Sequence, residues 1–444
     1  MKTIHIIGGG LAGCEAAAQV AQSGCRAVLY EMRPTRSTDA HKTQDLAELV
    51  CSNSLKSEQE NTAPWLLKEE LRRMGSLLIG EIAPRTRVPA GHALTVDREL
   101  FAHEVTAALE ANPSIEIRRE EITTLDPSNI WIVASGPLTS STLAQEIARL
   151  TGTERLYFYD SISPIVETDS IDMSIAFLQS RYGKSIDGTD DYINCPFTKE
   201  EYEAFLDALL AAESVPAHIP EDDSSANVKY FEACLPIEEI ARRGRDTLRF
   251  GPMKPMGLSD PRTGRRPWAV VQLRSENARA GSYNLVGFQN HMRFGEQQRV
   301  LRMIPGLANA EFLRFGQVHR NTYINGPALL TPTLQLRALP NIFFAGQISG
   351  VEGYVESIAT GLIAGRGAAA LALGEPIPEF PRATALGSLV HYVSGADPKH
   401  YQPANITFDL LPKLDNPPRD KKLRQARVCQ LALDALQSYA GTRV

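Results

Sequence analysis

The chain has 444 residues, enough for two or three domains that each bury a core. Its composition, 43% hydrophobic and 22% charged, excludes a disordered or repetitive chain, and no run of eighteen apolar residues offers a membrane span. The formal net charge of −6 argues against general nucleic-acid binding. Charge is uneven, however: Arg242 to Arg274 holds nine Lys/Arg against two Asp/Glu, and Lys413 to Arg427 six against two. A polyanion can still be held on one face of such a protein.

The opening MKTIHIIGGG lacks a signal-peptide layout. Thr3 to Ile7 reads as a short buried strand, and Gly8, Gly10 and Gly13 give G-x-G-x-x-G. An alanine-rich helix runs to Gln22 and stops at Gly24, and a second strand, Ala27 to Tyr30, ends on Glu31. In this arrangement Gly8 turns the chain, Gly10 leaves room for a pyrophosphate, and Gly13 lets helix and strand pack closely. Gly8, Gly9, Gly10, Leu11, Ala12 and Gly13 are expected to bind the cofactor, the helix N-terminus supplying free N–H groups, and Glu31 can accept ribose hydroxyls.

Next, TAPWLLKEELRRMG reads as a helix with Pro64 in its first turn and Gly75 at its stop. Asn129 to Ala134 reads as another strand, followed by a turn at Ser135 to Pro137 and a helix from about Ser141. Near the C-terminus, Asn341 to Ala345 reads as a strand that runs into Gly346, Gly350 and Gly353, with a small-residue helix from about Tyr354. This second glycine-rich junction returns the chain to the same sheet and offers Gly346, Gly353 and Tyr354 to a long cofactor. The arrangement suits permanently held FAD better than transient NAD. The expected fold is α/β: a Rossmann-like, glutathione-reductase-like FAD-binding domain built from 1–150 and 330–444, with an inserted α+β domain at 151–329 facing the substrate. Within the insertion, KEEYEAFLDALLAAE reads as a helix and EDDSSANVK as an exposed loop.

Six cysteines without a CxxC pair make neither a disulfide scaffold nor a metal site, so free thiols in the cytosol and no bound metal are expected. Cys14, Cys25 and Cys429 read as packing residues. Cys51, in ELVCSNSL, sits in a polar connection before a helix, where nucleotide-binding folds often line their clefts; buried packing is the alternative. Cys234 precedes a helix start at Pro236, with Glu238 and Glu239 in its first turn, a setting that favours a thiolate. Cys195, before KEEY, has a similar local setting.

The segments GGGLAGCEAA, ELVCSNSLKS, PAGHALTVDR, YFEACLPIEE, GPMKPMGL, YNLVGFQNHMRFGEQ and FFAGQISGVEGYVES together resemble the folate- and FAD-dependent tRNA uracil-5-methyltransferases, the TrmFO family. His92 and Ala233 stand where that pattern more often has glycine. The resemblance implies FAD as cofactor, 5,10-methylenetetrahydrofolate as carbon donor and NAD(P)H as reductant. It implies uracil 54 in the tRNA T-loop as target, and Cys51 and Cys234 as the reactive pair. On this reading Cys234 adds at C6 to activate C5, and Cys51 is the proton acceptor or partner thiol. Reduced flavin either supplies the hydride or first carries the folate carbon. Arg274, Asn277 and Asn290 are candidates for cofactor or base contacts, and RLYFYDSISPIVE and WAVVQLRSENARAGSYNLVGFQN for the folate. Three alternatives remain at this stage: a wobble-uridine enzyme, disfavoured because little chain follows the second glycine motif; a flavin-dependent thiol–disulfide oxidoreductase; and a non-enzymatic tRNA-binding flavoprotein.

Overall fold

The computed structural model describes residues 1–38, 40–152, 156–161, 163–215, 235–316 and 318–441. Two six-stranded sheets organise them. The first has the order Gln335–Leu336, Leu339–Phe344, Trp131–Val133, Thr3–Ile7, Arg26–Tyr30, Ile115–Arg118. All its pairings are parallel except that of the Gln335–Leu336 edge strand. The chain leaves Thr3–Ile7 toward one side and later returns on the other, beside Trp131–Val133. The strand order therefore reverses there, and a crevice opens beyond the carboxyl ends of the two strands, where open α/β sheets bind ligands.

Register brings the functional corners together at that edge. Ile7 is opposite both Tyr30 and Val133, and Val133 is opposite Phe344. Gly8, Glu31, Ala134 and Ala345, each the next residue, thus emerge side by side. The first helix, Leu11–Gln22, packs against the long helix Tyr354–Leu373. Small residues permit this approach: a Cβ on Gly361 would lie 2.3 Å from the Ala12 carbonyl oxygen, and one on Gly365 2.7 Å from that of Ala16. One continuous core runs from Ile4 to Leu436, so the N- and C-terminal parts of the chain bury each other.

The second sheet is antiparallel, in the order Phe177–Leu178, Tyr192–Phe197, Ala269–Ser275, Ser282–Leu285, Ile165–Glu167, Phe312–Arg314. Lys199–Leu210, capped by a Thr198/Glu201 box, and Phe294–Leu301 help cover its separate core. The two crossings between units, Leu156–Ser161 and Val318–Tyr323, pair antiparallel with each other. Among the described residues no helix is long and apolar enough to cross a membrane.

Expected and observed elements agree closely in the first unit. Thr3–Ile7 is a strand, the first helix ends at Gln22, and the late helix begins at Tyr354. The strand expected from Asn129 to Ala134 shortens to Trp131–Val133. Cys195 requires a correction. It is not a thiol in a helix-start connection but an interior residue of the Tyr192–Phe197 strand, fully buried, and burial pushes its pKa up to about 12. EDDSSANVK lies outside the described residues.

Candidate active site

An open cavity occupies the crevice at the strand-order reversal. Gly8, Gly9, Gly10, Leu11, Ala12, Glu31, Gly346 and Tyr354 all line it. Gly8 has φ +103°, and a Cβ there would lie 2.4 Å from the Ala134 carbonyl oxygen, so only glycine makes the turn. A Cβ on Gly10 would meet nothing within 4 Å, because that position opens toward the cavity. Gly13 does not line the cavity; its missing side chain admits the Gly8 carbonyl, 1.9 Å from where a Cβ would stand. Gly353 is also outside the lining, and with φ +108° it turns the chain into the Tyr354–Leu373 helix.

Glu31 is held as well as exposed to the cavity. Its Oε2 accepts the Gly9 N–H at 2.8 Å, and its Oε1 accepts the backbone N–H and Nε–H of Arg33 at 3.0 and 2.9 Å. Burial opposes its charge, but these Arg33 and Gly9 contacts outweigh that and hold the carboxyl below its ordinary value. Arg33 also donates to Glu48 at 3.0 Å, which ties the loop before Cys51 to the cavity wall.

Cys51 is half-buried just beyond this loop. The Tyr354 hydroxyl oxygen accepts the backbone N–H groups of Cys51 and Ser52 at 2.8 and 3.1 Å. Burial pushes the Tyr354 phenol far up, so it stays neutral. Tyr354 and Val50 both line the cavity, and Cys51 therefore adjoins its rim. Three arginines grip the same loop. Arg98 donates to the Leu49 carbonyl and Arg314 to the Val50 carbonyl at 3.0 Å. Arg274 donates to Ser52 Oγ at 2.8 Å and to Asn53 Oδ1 at 3.1 Å. Glu276 accepts from Arg98 Nε at 2.8 Å and from Asn284. Burial opposes its charge too, but Arg98, Asn284 and Arg274 keep that carboxyl below its ordinary value.

The other sequence candidates separate. Arg274 lies outside the cavity lining and instead holds the Cys51 loop through Ser52 and Asn53. Asn277 instead braces a hairpin turn, its Oδ1 accepting the Gly281 N–H at 3.0 Å. Asn290 is fully buried outside the cavity lining, donating to the Phe288 carbonyl at 3.2 Å. Cys14, Cys25 and Cys429 are buried. Cys234 and Ala233 lie outside the described residues, as do most side chains of RLYFYDSISPIVE. WAVVQLRSENARAGSYNLVGFQN supplies two central strands of the second sheet, with Tyr283 buried in its core. The basic stretch from 242 to 274 is less free than its composition implies. Arg242, Arg245, Arg249 and Arg262 pair with acids and Arg274 turns inward, whereas Lys254, Arg265 and Arg266 are exposed.

Sequence reasoning missed Ser135 and Thr139, which wall the cavity after the Trp131–Val133 strand. The signal was present, since a turn at the carboxyl end of a strand beside the order reversal faces the crevice. It also missed Arg98, Glu276 and Arg314, which no local motif marks.

A parallel sheet with a glycine-rich crevice, an acid at the second strand tip and a thiol at the rim defines a dinucleotide-binding α/β protein built for redox or transfer chemistry. The family model described as "Glucose inhibited division protein A" matches residues 3–376. The chain is 71% identical over 443 residues to "Methylenetetrahydrofolate--tRNA-(uracil-5-)-methyltransferase TrmFO" of Solibacter usitatus, covering 99% of this chain and 98% of that one. It is 64% identical to the protein of the same name from Koribacter versatilis, again over 99% and 98%. The Enterococcus faecalis protein of that name is 52% identical over 98% and 97%. Aquifex aeolicus GidA in its form II crystal superposes with a TM-score of 0.68 at 15% identity, over 99% of this chain and 75% of that one, a likeness of fold. The chain belongs to the Glucose inhibited division protein A family and, within it, to the TrmFO group.

Replacing Tyr354 with phenylalanine removes the acceptor shared by two loop N–H groups. Hydrogen-exchange mass spectrometry should then show Cys51 and Ser52 amides exchanging about tenfold faster, as expected for loss of ~1.4 kcal/mol of hydrogen bonding. Unchanged exchange would mean that the phenol does not hold the loop.

Proposed function

We infer that this protein transfers a one-carbon unit from 5,10-methylenetetrahydrofolate to C5 of uracil 54 in the tRNA T-loop, giving 5-methyluridine, with FAD as its redox cofactor and NAD(P)H as the reductant. What carries this reading is near-full-length identity of 51–71% to proteins named for that reaction. The geometry of the cavity and the Cys51 loop supports it.

The cavity fits FAD. Gly8 to Ala12 present a helix N-terminus, whose first N–H groups lack intrahelical acceptors and favour a pyrophosphate. Gly10 offers open space for its approach, and Glu31 keeps lone pairs for ribose hydroxyls. Gly346, just after the Leu339–Phe344 strand, and Tyr354, at the start of the second long helix, would hold the cofactor's other half. When bound, FAD supplies the hydride equivalent that completes the methyl group.

The chain's own residues do the rest. Uracil C5 is a weak nucleophile, and a thiolate adding at C6 converts the base into an enolate that attacks the folate methylene from C5. Cys234 takes that role on this reading. The C5 proton must then leave to a base so that the bond from the methylene to the folate nitrogen breaks and tetrahydrofolate departs, after which arrival of the hydride lets the C6–S bond break. On this reading Cys51, whose backbone N–H donates to the Tyr354 hydroxyl beside the cavity, receives that proton. Lys254, Arg265 and Arg266, exposed on one stretch of the second unit, suit contacts with tRNA phosphates.

Mass analysis of nucleosides from unmodified tRNA, incubated with the protein, FAD, NAD(P)H and methylenetetrahydrofolate, should reveal 5-methyluridine at position 54 that disappears when only the folate is omitted. A flavin-loaded protein that binds tRNA and leaves every uridine unmodified would defeat the reading. Reversing charge at both Arg265 and Arg266 should weaken tRNA binding and flatten its salt dependence by about two units of log–log slope; unaltered affinity would remove this face from the tRNA interface.

A further inference from the structure

The grip on residues 49–53 has more positive charge than backbone positioning requires. Arg98 comes from the start of the Arg98–Glu110 helix, Arg274 from the Ala269–Ser275 strand and Arg314 from the Phe312–Arg314 strand. All three lie within electrostatic reach of the Cys51 thiol. The groups facing this loop among the described residues also include Lys42, Glu48, Glu276 and the neutral Tyr354 phenol. Glu48 is occupied by Arg33, Lys42 N–H and Thr43. Among the described residues, Glu276 is the carboxylate shared among the three guanidinium groups.

Buried positive charge in excess of its carboxylate is costly unless an anion completes it. Arg314 shows the imbalance directly: its Nε is buried and has no hydrogen-bond partner. Its Nη2 reaches the Cys51 carbonyl, at 3.5 Å. Burial lowers the pKa values of both Arg274 and Arg314, whereas Glu276 outweighs burial at Arg98. The site therefore favours a monoanion on the loop that the arginines hold.

We propose that Arg98, Arg274 and Arg314 are positioning residues for Cys51, which fix its loop and keep its side chain as a thiolate ready to take up a proton. The thiol proton passes to solvent before substrate binds, and the thiolate later accepts one proton and becomes neutral, so charge and protons balance. Arg314, which among the described residues bonds only to backbone carbonyls, contributes most to the thiolate. The proposal rests on the reading that Cys51 is the proton acceptor.

The test is alkylation of Cys51 in the FAD-loaded full chain by iodoacetamide from pH 5 to 10, followed by peptide mass, with N-acetylcysteine as the reference thiol. Wild type should reach half-maximal rate at a lower pH than N-acetylcysteine. Arg314→Gln should raise that midpoint by about one pH unit and slow the reaction about tenfold at pH values below the wild-type midpoint, and Arg314→Lys should recover most of the loss. A wild-type midpoint no lower than the reference overturns the proposal without any variant. An unaltered midpoint in Arg314→Gln, or an equal loss in Arg314→Lys, also overturns it by reducing Arg314 to a structural role. A separate arm follows tRNA methylation by Cys51→Ala: full activity there would overturn the underlying reading of Cys51, whatever the alkylation profile.

Discussion

The buried pair of Arg98 and Glu276 joins the two units of this protein, and the geometry of the site depends on it. Arg98 begins a helix of the dinucleotide-binding unit, and Glu276 follows a central strand of the other sheet. Asp97, the cap of the same helix, reinforces the seam by accepting the Ala278 N–H at 3.0 Å. Removing one partner of such a pair leaves an uncompensated buried charge, at a cost of about 3–5 kcal/mol. The seam thus ties the strand that carries Arg274 to the loop that carries Cys51, and Asn53 bridges them by donating to the carbonyls of Val96 and Ser275.

A second constraint acts from the opposite side. The Tyr354–Leu373 helix lies so close to the first helix that Gly361 and Gly365 have no room for a side chain. This contact carries the helix start, and with it Tyr354, to the crevice where Gly8 and Glu31 emerge. One phenol then touches both the cavity and the thiol loop. The thiol loop is thus tied to the cavity wall by Tyr354 as well as by the Arg33–Glu48 pair, although Cys51 and Tyr354 are about three hundred positions apart in sequence.

The first unit was legible because its elements follow local rules. Glycines with positive φ, an alanine-rich helix and an acid at a strand tip each leave a mark on neighbouring residues, and the observed strand register bears them out. The polar surroundings of Cys51 were legible from the local sequence, whereas the reactive role expected of it comes from the family resemblance alone. The arginine grip was not legible. Arg98, Arg274 and Arg314 come from three distant elements, and only the fold makes them neighbours. Cys195 misled for the same reason in reverse: its local sequence resembles a helix approach, but long-range pairing with Val271 places it in a sheet interior. Net charge over 242–274 also overstated the basic face, because four of its cations find acids nearby and one turns inward.

The most direct test of the account is an experimental structure of the protein with FAD bound. The account predicts a pyrophosphate at the Gly8–Ala12 backbone, a ribose on Glu31, and the flavin ring against Val50 and Tyr354, in contact with the Cys51 loop. A cofactor in the same crevice whose flavin ring points away from that loop would contradict it, because Cys51 could not then serve chemistry at the flavin.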